Sequence, residues 1–152
     1  MNRTVEYEEL LRLFPSLSAA VAVSMHCLFE VNGAGRHIKR VSGQPPQYGA
    51  VSITAVPSST LSVRLAHSWP GEASEKEVLL LDDALLLGIA EGIVREEWPP
   101  MGCRITSVKA GYVPSETTPV AVRIAAALAV SDMCRRPGWG RSDGGDPPLR
   151  TA

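Results

Sequence analysis

The segment from Arg104 to Arg136 constrains the fold most strongly, because it combines a strand, an exposed loop and a helix in one stretch. Residues 103–110 have the composition of a strand, and residues 111–118 have that of a loop. Thr118 and Pro119 predict a helix start, because a threonine hydroxyl can cap free N–H groups and proline fits the first turn. Binding residues often lie on loops that are held between two firm elements.

Two alternating runs of apolar and polar residues, 51–55 and 61–65, predict two further strands. The turn residues between them favour pairing as an antiparallel hairpin. A helix is predicted to begin at Asp82 or Asp83, where a carboxylate could cap it, and to end before Pro99. This order of elements predicts an α+β domain of two layers, a mainly antiparallel sheet with two helices on one face.

For the N-terminal part of the chain, the sequence predicts the secondary structure less clearly. Residues 7–14 have helical periodicity. The apolar run at 19–31 fits a helix or a strand about equally well, and Asn32-Gly33-Ala34-Gly35 has the composition of a turn. An N-terminal strand and helix could cover a sheet edge, whereas an uncovered edge would allow a homodimer.

Composition excludes several classes of protein. The chain has 152 residues, 45% of them hydrophobic, and a net charge of −1, so there is no global basic field. No apolar run reaches the roughly 20 residues of a membrane helix, which predicts a cytoplasmic protein without membrane association. The three scattered cysteines predict buried free thiols, with neither a disulfide framework nor a zinc site.

No catalytic motif is present. His26, His37 and His67 have no Cys or Asp partner at ligand spacing, so neither a metal site nor a catalytic base is indicated. The sequence therefore predicts a protein that is not an enzyme and that needs no cofactor. The four neighbouring basic or titratable residues Arg36, His37, Lys39 and Arg40 could contact phosphate, or they could form a solvated strand end.

Two loops carry a family resemblance. The run Ser42-Gly43-Gln44-Pro45-Pro46-Gln47-Tyr48-Gly49 resembles the SGGxGQYG segment of domain IV of elongation factor G. The loop from Gly111, followed by a helix of small residues, is similar to the GSYHxVDSSxxAFxxAAxxA segment of the same domain. The run Thr117-Thr118-Pro119 resembles the STPADFR segment of the tetracycline-resistance ribosomal protection proteins. The segment from Ala84 to Arg95 is similar to the AVxxGIxE-like helix of these factors through Gly88-Ile89, or through Gly92-Ile93 in a shifted alignment.

This resemblance implies a fold like ribosomal protein S5 domain 2, with a left-handed βαβ crossover, and two tip loops that contact ribosomal RNA. It divides the chain into an N-terminal extension, a domain IV-like domain and a flexible tail: residues 1–36, 37–136 and 137–152. The tip loops supply these candidate binding residues: Gln44, Gln47, Tyr48, Tyr112, Val113, Ser115, Glu116 and Thr117. Tyr48 and Tyr112 could stack on bases or anchor a protein interface, or each could pack at the base of its loop.

The chain also departs from the family pattern. Val113 stands where the family has a histidine, and Pro45 or Pro46 replaces an arginine. The family's GTPase domain and its GxxxxGK[ST] motif are absent from this sequence, so no GTP binding is expected. The expected partner is the ribosome, RNA or another translation component. The alternatives are a protein-interaction module with a neutralised tip and, as a weaker third case, a small-molecule binder on the same fold.

Overall fold

A computed structural model describes residues 2–141 and shows a mixed α+β fold. The helical segments are α1 (Tyr7–Leu13), a 3₁₀ helix (Pro15–Ala22), α2 (Glu75–Arg95) and α3 (Pro119–Cys134). The strands are β1 (Arg3–Val5), β2 (Met25–Cys27), β3 (Val31–Lys39), β4 (Gln47–Pro57), β5 (Ser62–Leu65), β6 (Pro100–Gly111) and β7 (Trp139–Arg141). No helix within residues 2–141 has the length and apolar character that crossing a membrane requires.

The long strand β6 is the centre of the sheet. It pairs antiparallel with β4 and parallel with β5, while β4 continues to β3 and β5 to β1. The first residues of β6 also pair in parallel with β2, which pairs antiparallel with β7. Four of these six pairings are antiparallel, so the prediction of a mainly antiparallel sheet is confirmed.

The helices α2 and α3 cover one face of this sheet. Along β4, Val51, Ile53 and Ala55 are buried, whereas Ser52 and Thr54 between them are half-exposed. This alternation places one set of side chains against the helices and leaves the other set facing away from them. We call the second surface the open face.

Both long helices begin at a side-chain cap. In α3, Thr118 Oγ1 accepts a hydrogen bond from the Ala121 N–H at 3.2 Å and Pro119 occupies the first turn, which confirms the predicted start. In α2, Ser74 Oγ accepts from the Glu77 N–H at 3.1 Å. The prediction that α2 begins at Asp82 or Asp83 is therefore wrong, because the helix starts about two turns earlier, at Glu75.

The segment predicted as a turn at residues 32–35 lies inside β3 instead. Its glycines allow β3 to pack closely against α3. A Cβ added at Gly33 would lie only 2.5 Å from the carbonyl oxygen of Ala129 in that helix. A Cβ at Gly35 would overlap the carbonyl oxygen of Ala125 in the same helix. Gly88 and Gly92 in α2 make a similar close approach to α3 rather than to the sheet.

The predicted hairpin of β4 and β5 is also wrong. Both strands exist, but β6 lies between them, parallel to β5 and antiparallel to β4. Alternation in a sequence identifies a half-buried strand without identifying its neighbour, and here the neighbour comes some 40 residues later along the chain. The apolar run at 19–31 is neither one helix nor one strand, because it spans the end of the 3₁₀ helix, β2 and the start of β3.

The two ends of the described chain are part of the sheet. The predicted boundary between residues 36 and 37 falls within β3. β1 pairs along β5, so an N-terminal strand covers that edge. At the other end, β7 shows that residues 139–141 are a strand and not part of a flexible tail, with Trp139 buried. The rest of the predicted tail, residues 142–152, lies outside the described residues.

Candidate functional site

The two predicted tip loops lie at the same end of the sheet. Loop A (residues 40–46) joins β3 to β4, and loop B (residues 112–118) joins β6 to α3. Lys39 pairs with Gln47 at the base of loop A, and Ala50 pairs with Gly111 at the base of loop B. Because Gln47 and Ala50 are three residues apart on β4, both loops emerge at one edge of the sheet.

Two sets of hydrogen bonds join the loops. The Tyr48 N–H donates to the Glu116 carbonyl oxygen at 2.8 Å, which ties the start of β4 to loop B. Arg40 donates from Nε and Nη2 to Glu116 Oε1 at 3.2 and 3.0 Å. Glu116 therefore bridges the loops through its backbone and its side chain, and its carboxylate neutralises the one arginine of loop A.

Loop B is held in shape by Thr117, which is buried. The Val113 N–H donates to Thr117 Oγ1 at 2.8 Å, and the Thr117 N–H donates back to the Val113 carbonyl at 3.0 Å. Ser115 at the exposed turn has a φ of 66°, a left-handed conformation that is uncommon for a residue with a side chain. Thr117 thus has a structural role in the loop, and Ser115 and Pro114 form its exposed part.

Tyr48 and Tyr112 are both half-buried at the bases of the loops. The Tyr48 ring lies over Gly111, where an added Cβ would be 3.1 Å from its Cε1 atom. The Tyr112 hydroxyl donates to Glu77 Oε1 at 2.8 Å, and its ring meets the edge of Trp69 at 6.3 Å between centroids. The hydrogen bond to the Glu77 carboxylate raises the pKa of Tyr112. Tyr112 is thus held at the base of loop B by its hydroxyl and its ring, and Tyr48 packs at the base of the same loop through its contact with Gly111.

The remaining predicted residues have different environments. Gln44 lies at the turn of loop A, where its backbone N–H donates to the Val41 carbonyl at 3.1 Å. Its side chain is exposed. His37 Nε2 and Gln47 Oε1 are 3.0 Å apart. The predicted basic cluster is not one surface, because Arg36 lies on the open face, His37 faces the helix side and Arg40 binds Glu116.

The structure brings together a second group of residues that sequence reasoning missed. His67 Nε2 is 2.7 Å from Asp82 Oδ1, and His67 Nδ1 is 2.6 Å from Ser107 Oγ. Trp69 Nε1 donates to the same Asp82 oxygen at 2.8 Å. We call these four residues the His67 cluster. Since a carboxylate only accepts, His67 Nε2 carries a proton and donates a hydrogen bond to Asp82 Oδ1.

The contacts of the His67 cluster link Ser107, His67 and Asp82 in the order of a Ser–His–Asp triad. Unlike the serine of such a triad, however, Ser107 cannot be reached by a substrate. Ser107 is completely buried within β6, and its Oγ also accepts from the Ala66 N–H at 3.2 Å. A nucleophile must reach its substrate, so this hydroxyl is suited to a structural role. Burial opposes ionisation of Asp82, but the hydrogen bonds from His67 and Trp69 outweigh burial and lower the pKa of this carboxyl group.

A signal for this cluster does exist in the sequence. Residues 61, 63 and 65 face the core at period two, and continuing that period places His67 on the core side as well. The same argument applies to Ser107, which follows Cys103 and Ile105 at the same period. Polar side chains at core positions need hydrogen-bond partners, so both residues predict a buried network.

Among residues 2–141, no group of three or more His, Cys, Asp or Glu side chains is arranged to hold a metal ion. The three cysteines are buried and free, as predicted. Burial raises the pKa of the Cys27 and Cys103 thiols, which disfavours the reactive thiolate.

Comparisons with known proteins extend only to the fold. No protein-family model matches the chain, and no curated protein matches it. Among solved structures, it is similar to the crystal structure of a protein from Thermus thermophilus, with a TM-score of 0.59 and 23% sequence identity. The similarity covers 73% of this chain but only 16% of the Thermus chain. The α+β fold is thus shared with one part of a much longer protein.

Proposed function

We propose that this protein is a non-enzymatic RNA-binding domain whose recognition end is formed by loops A and B, with ribosomal RNA or a complex of the translation machinery as its partner. The observation that carries the proposal is the direct contact between the two loops through Arg40 and the Glu116 carboxylate, reinforced by the bond from the Tyr48 N–H at the start of β4 to the Glu116 carbonyl. Loops that are separated by more than 60 residues thereby form one continuous surface.

The arrangement of the domain supports the resemblance to domain IV of elongation factor G. From β3 onward the order is strand, strand, strand, helix, strand, helix, with β5 parallel to β6 across the connecting helix α2. This is the order expected of a fold like ribosomal protein S5 domain 2. The likeness to one part of a much longer Thermus protein agrees with a domain of this kind.

The chemistry of the buried groups supports a non-enzymatic role. The His67 cluster has the only Ser–His–Asp connectivity within the described residues, and Ser107 is completely buried within it. At the recognition end the exposed polar groups are amides, hydroxyls, a lysine and the ion-paired Arg40, which suit hydrogen bonding to RNA.

Sedimentation with ribosomes over a salt series tests the proposal. Replacing the exposed side chains Lys39 and Gln44 with alanine should weaken binding about fivefold for each lost contact of about 1 kcal/mol. The matched control is Ser59→Ala with Thr60→Ala, because these exposed residues lie at the opposite end of β4. Equal binding by the two double variants, or no sedimentation of the native chain at low salt, would refute the proposal.

A protein partner is the second candidate, and the ion pair of Arg40 with Glu116 favours it by neutralising the recognition end. The half-exposed side chains of Ile38 and Val41, 43% and 49% exposed, add apolar surface nearby. Glu116→Gln separates the two candidates. Freeing Arg40 should tighten RNA binding and increase its salt dependence, whereas binding to a protein that contacts Glu116 should weaken and persist after nuclease treatment.

A further inference from the structure

The charges of this protein are separated between its two layers. The seven strands contain seven Lys and Arg residues and no Asp or Glu. All carboxylate side chains of residues 2–141 lie on helices or in connecting segments. A net charge of −1 therefore conceals a basic sheet beneath an acidic helical layer. Such a separation creates a local field that attracts anions to the sheet.

Three of the strand cations lie on the open face. Arg36 lies between the buried Gly35 and the half-buried His37 of β3, Arg64 lies between the buried Val63 and Leu65 of β5, and both arginines are exposed. Lys109 reaches this face through a β-bulge, because Ser52 pairs with Lys109 and the adjacent Ile53 pairs with Ser107. Strict alternation from Ser107 would have placed Lys109 against the helices. Bulges commonly redirect a side chain in this way.

These three cations have no salt-bridge partner among the described residues. A fourth, Arg104, donates to Ser62 Oγ at 3.0 Å and lies 3.9 Å from Glu6 at the margin of the face. With strands about 4.8 Å apart, the Cα atoms of Arg36, Lys109 and Arg64 follow one another at intervals of roughly 10–12 Å across the sheet. The side chains can thus follow one polyanionic strand.

The other side chains of the open face suit RNA better than protein. Besides Ile38, which lies opposite Tyr48, they include small, hydroxyl and amide groups, as at Asn32, Ser52, Thr54 and Thr106. The interior of a protein interface usually needs several large aromatic or aliphatic anchors. The ring of Tyr48 lies on the open face opposite Ile38 and diagonal to Arg36, where a base could stack.

We infer that the open face is a binding surface for single-stranded RNA that continues from the recognition end. Arg36, Lys109 and Arg64 contact successive parts of the phosphate backbone, and Tyr48 stacks against a base where the strand leaves loop A. The choice of RNA as the polyanion rests on the proposed function. The position of this surface in the sheet and its positive charge do not rest on that proposal.

Fluorescence anisotropy with a labelled single-stranded RNA of about 15 nucleotides tests this inference. The triple variant Arg36→Gln, Arg64→Gln, Lys109→Gln should bind at least about tenfold more weakly at about 50 mM salt. The slope of log K against log salt concentration should fall in magnitude by about two, since each phosphate contact contributes about 0.7. Tyr48→Leu should weaken binding severalfold, whereas Tyr48→Phe, which keeps the ring, should not.

The matched control is the triple variant Arg12→Gln, Lys76→Gln, Arg135→Gln. It changes the net charge equally, but its residues are exposed on the helical side of the chain. Its affinity should stay within about twofold of the native value. Equal loss in both triple variants would overturn the inference, as would competition by polyglutamate as strong as that by unlabelled RNA. Thermal unfolding of each variant checks that the fold is intact.

The two proposals fail separately. The double variant of Lys39 and Gln44 tests the recognition end, and the triple variant of Arg36, Arg64 and Lys109 tests the open face. If the double variant binds ribosomes like the native chain while the triple variant no longer binds the short RNA, the proposed role of the recognition end is refuted and that of the open face is kept. If the sheet variant binds the short RNA as well as the native chain does, the open face is excluded, whatever the ribosome assay shows.

Discussion

Replacing Asp82 with asparagine should destabilise the protein through the His67 cluster. The Asp82 side chain is 27% exposed and accepts from His67, whose side chain is only 1% exposed, and from Trp69. A hydrogen bond to a charged group contributes about 1.5–3 kcal/mol, and asparagine can keep one acceptor bond. We therefore expect a loss of about 2 kcal/mol in the free energy of unfolding, or about 4–8 °C in Tm for a chain of this size.

The adjacent residue provides a control. Asp83 is 68% exposed and lies 3.7 Å from Arg3, so Asp83→Asn should cost less than about 0.5 kcal/mol. Urea unfolding at neutral pH, followed by tryptophan fluorescence, measures both variants. Losses that are equal for Asp82→Asn and Asp83→Asn would refute the argument that Asp82 stabilises the fold through the His67 cluster.

The pH dependence gives a second check of the same argument. Because the folded protein lowers the pKa of Asp82, the ionised carboxylate stabilises the fold above the pKa of the unfolded chain, about 3.9. This contribution disappears as the pH falls through the lower, folded pKa. The stability difference between the native chain and Asp82→Asn should thus be full at pH 7 and shrink below about pH 4. A difference that stays constant as the solution is acidified well below that pH would contradict it.

Three further predictions concern packing. Gly35→Ala should cost about 1–3 kcal/mol in urea unfolding because its Cβ would meet the backbone of α3, whereas Gly71→Ala, with open space around it, should be nearly neutral. Thr117→Ala removes the bond from the Val113 N–H, so it should cost about 1 kcal/mol and speed proteolysis within loop B. The buried cysteines, Cys103 above all, should react with a thiol reagent only after unfolding, and stoichiometric labelling of the native chain would contradict this.

The start of a helix can be predicted from the sequence where the capping side chain and the N–H group that it binds are only a few residues apart. Thr118 and Pro119 form a cap that needs only the next three residues, and it was identified correctly. The start of α2 has an equally local signal, the Ser74-x-x-Glu77 pattern of a capping box, whereas the prediction rested on the carboxylate of Asp82 or Asp83. Asp82 is instead a partner of the buried His67, and the distance of 15 residues between them hides that role.

Features that depend on distant parts of the chain could not be predicted. Gly33 and Gly35 have the composition of a turn, but their close approach to α3 depends on a helix almost 100 residues away. The pairing of β5 with β6 depends on α2 carrying the chain back to the sheet. For the site, the resemblance carried by the loop motifs implied that both loops lie at one tip, while the Arg40–Glu116 pair appears only in three dimensions.

The central position of β6 has a consequence for how the chain folds. Its partner strands β2, β4 and β5 all end well before β6 begins, so the sheet is assembled mainly from contacts between distant segments, which slows folding. A chain emerging from the ribosome would expose the facing edges of β4 and β5 until residues 100–111 have been synthesised. Such edges invite pairing with other chains. Fragments that stop before residue 100 should therefore aggregate, whereas fragments that reach the end of α3 should begin to fold cooperatively.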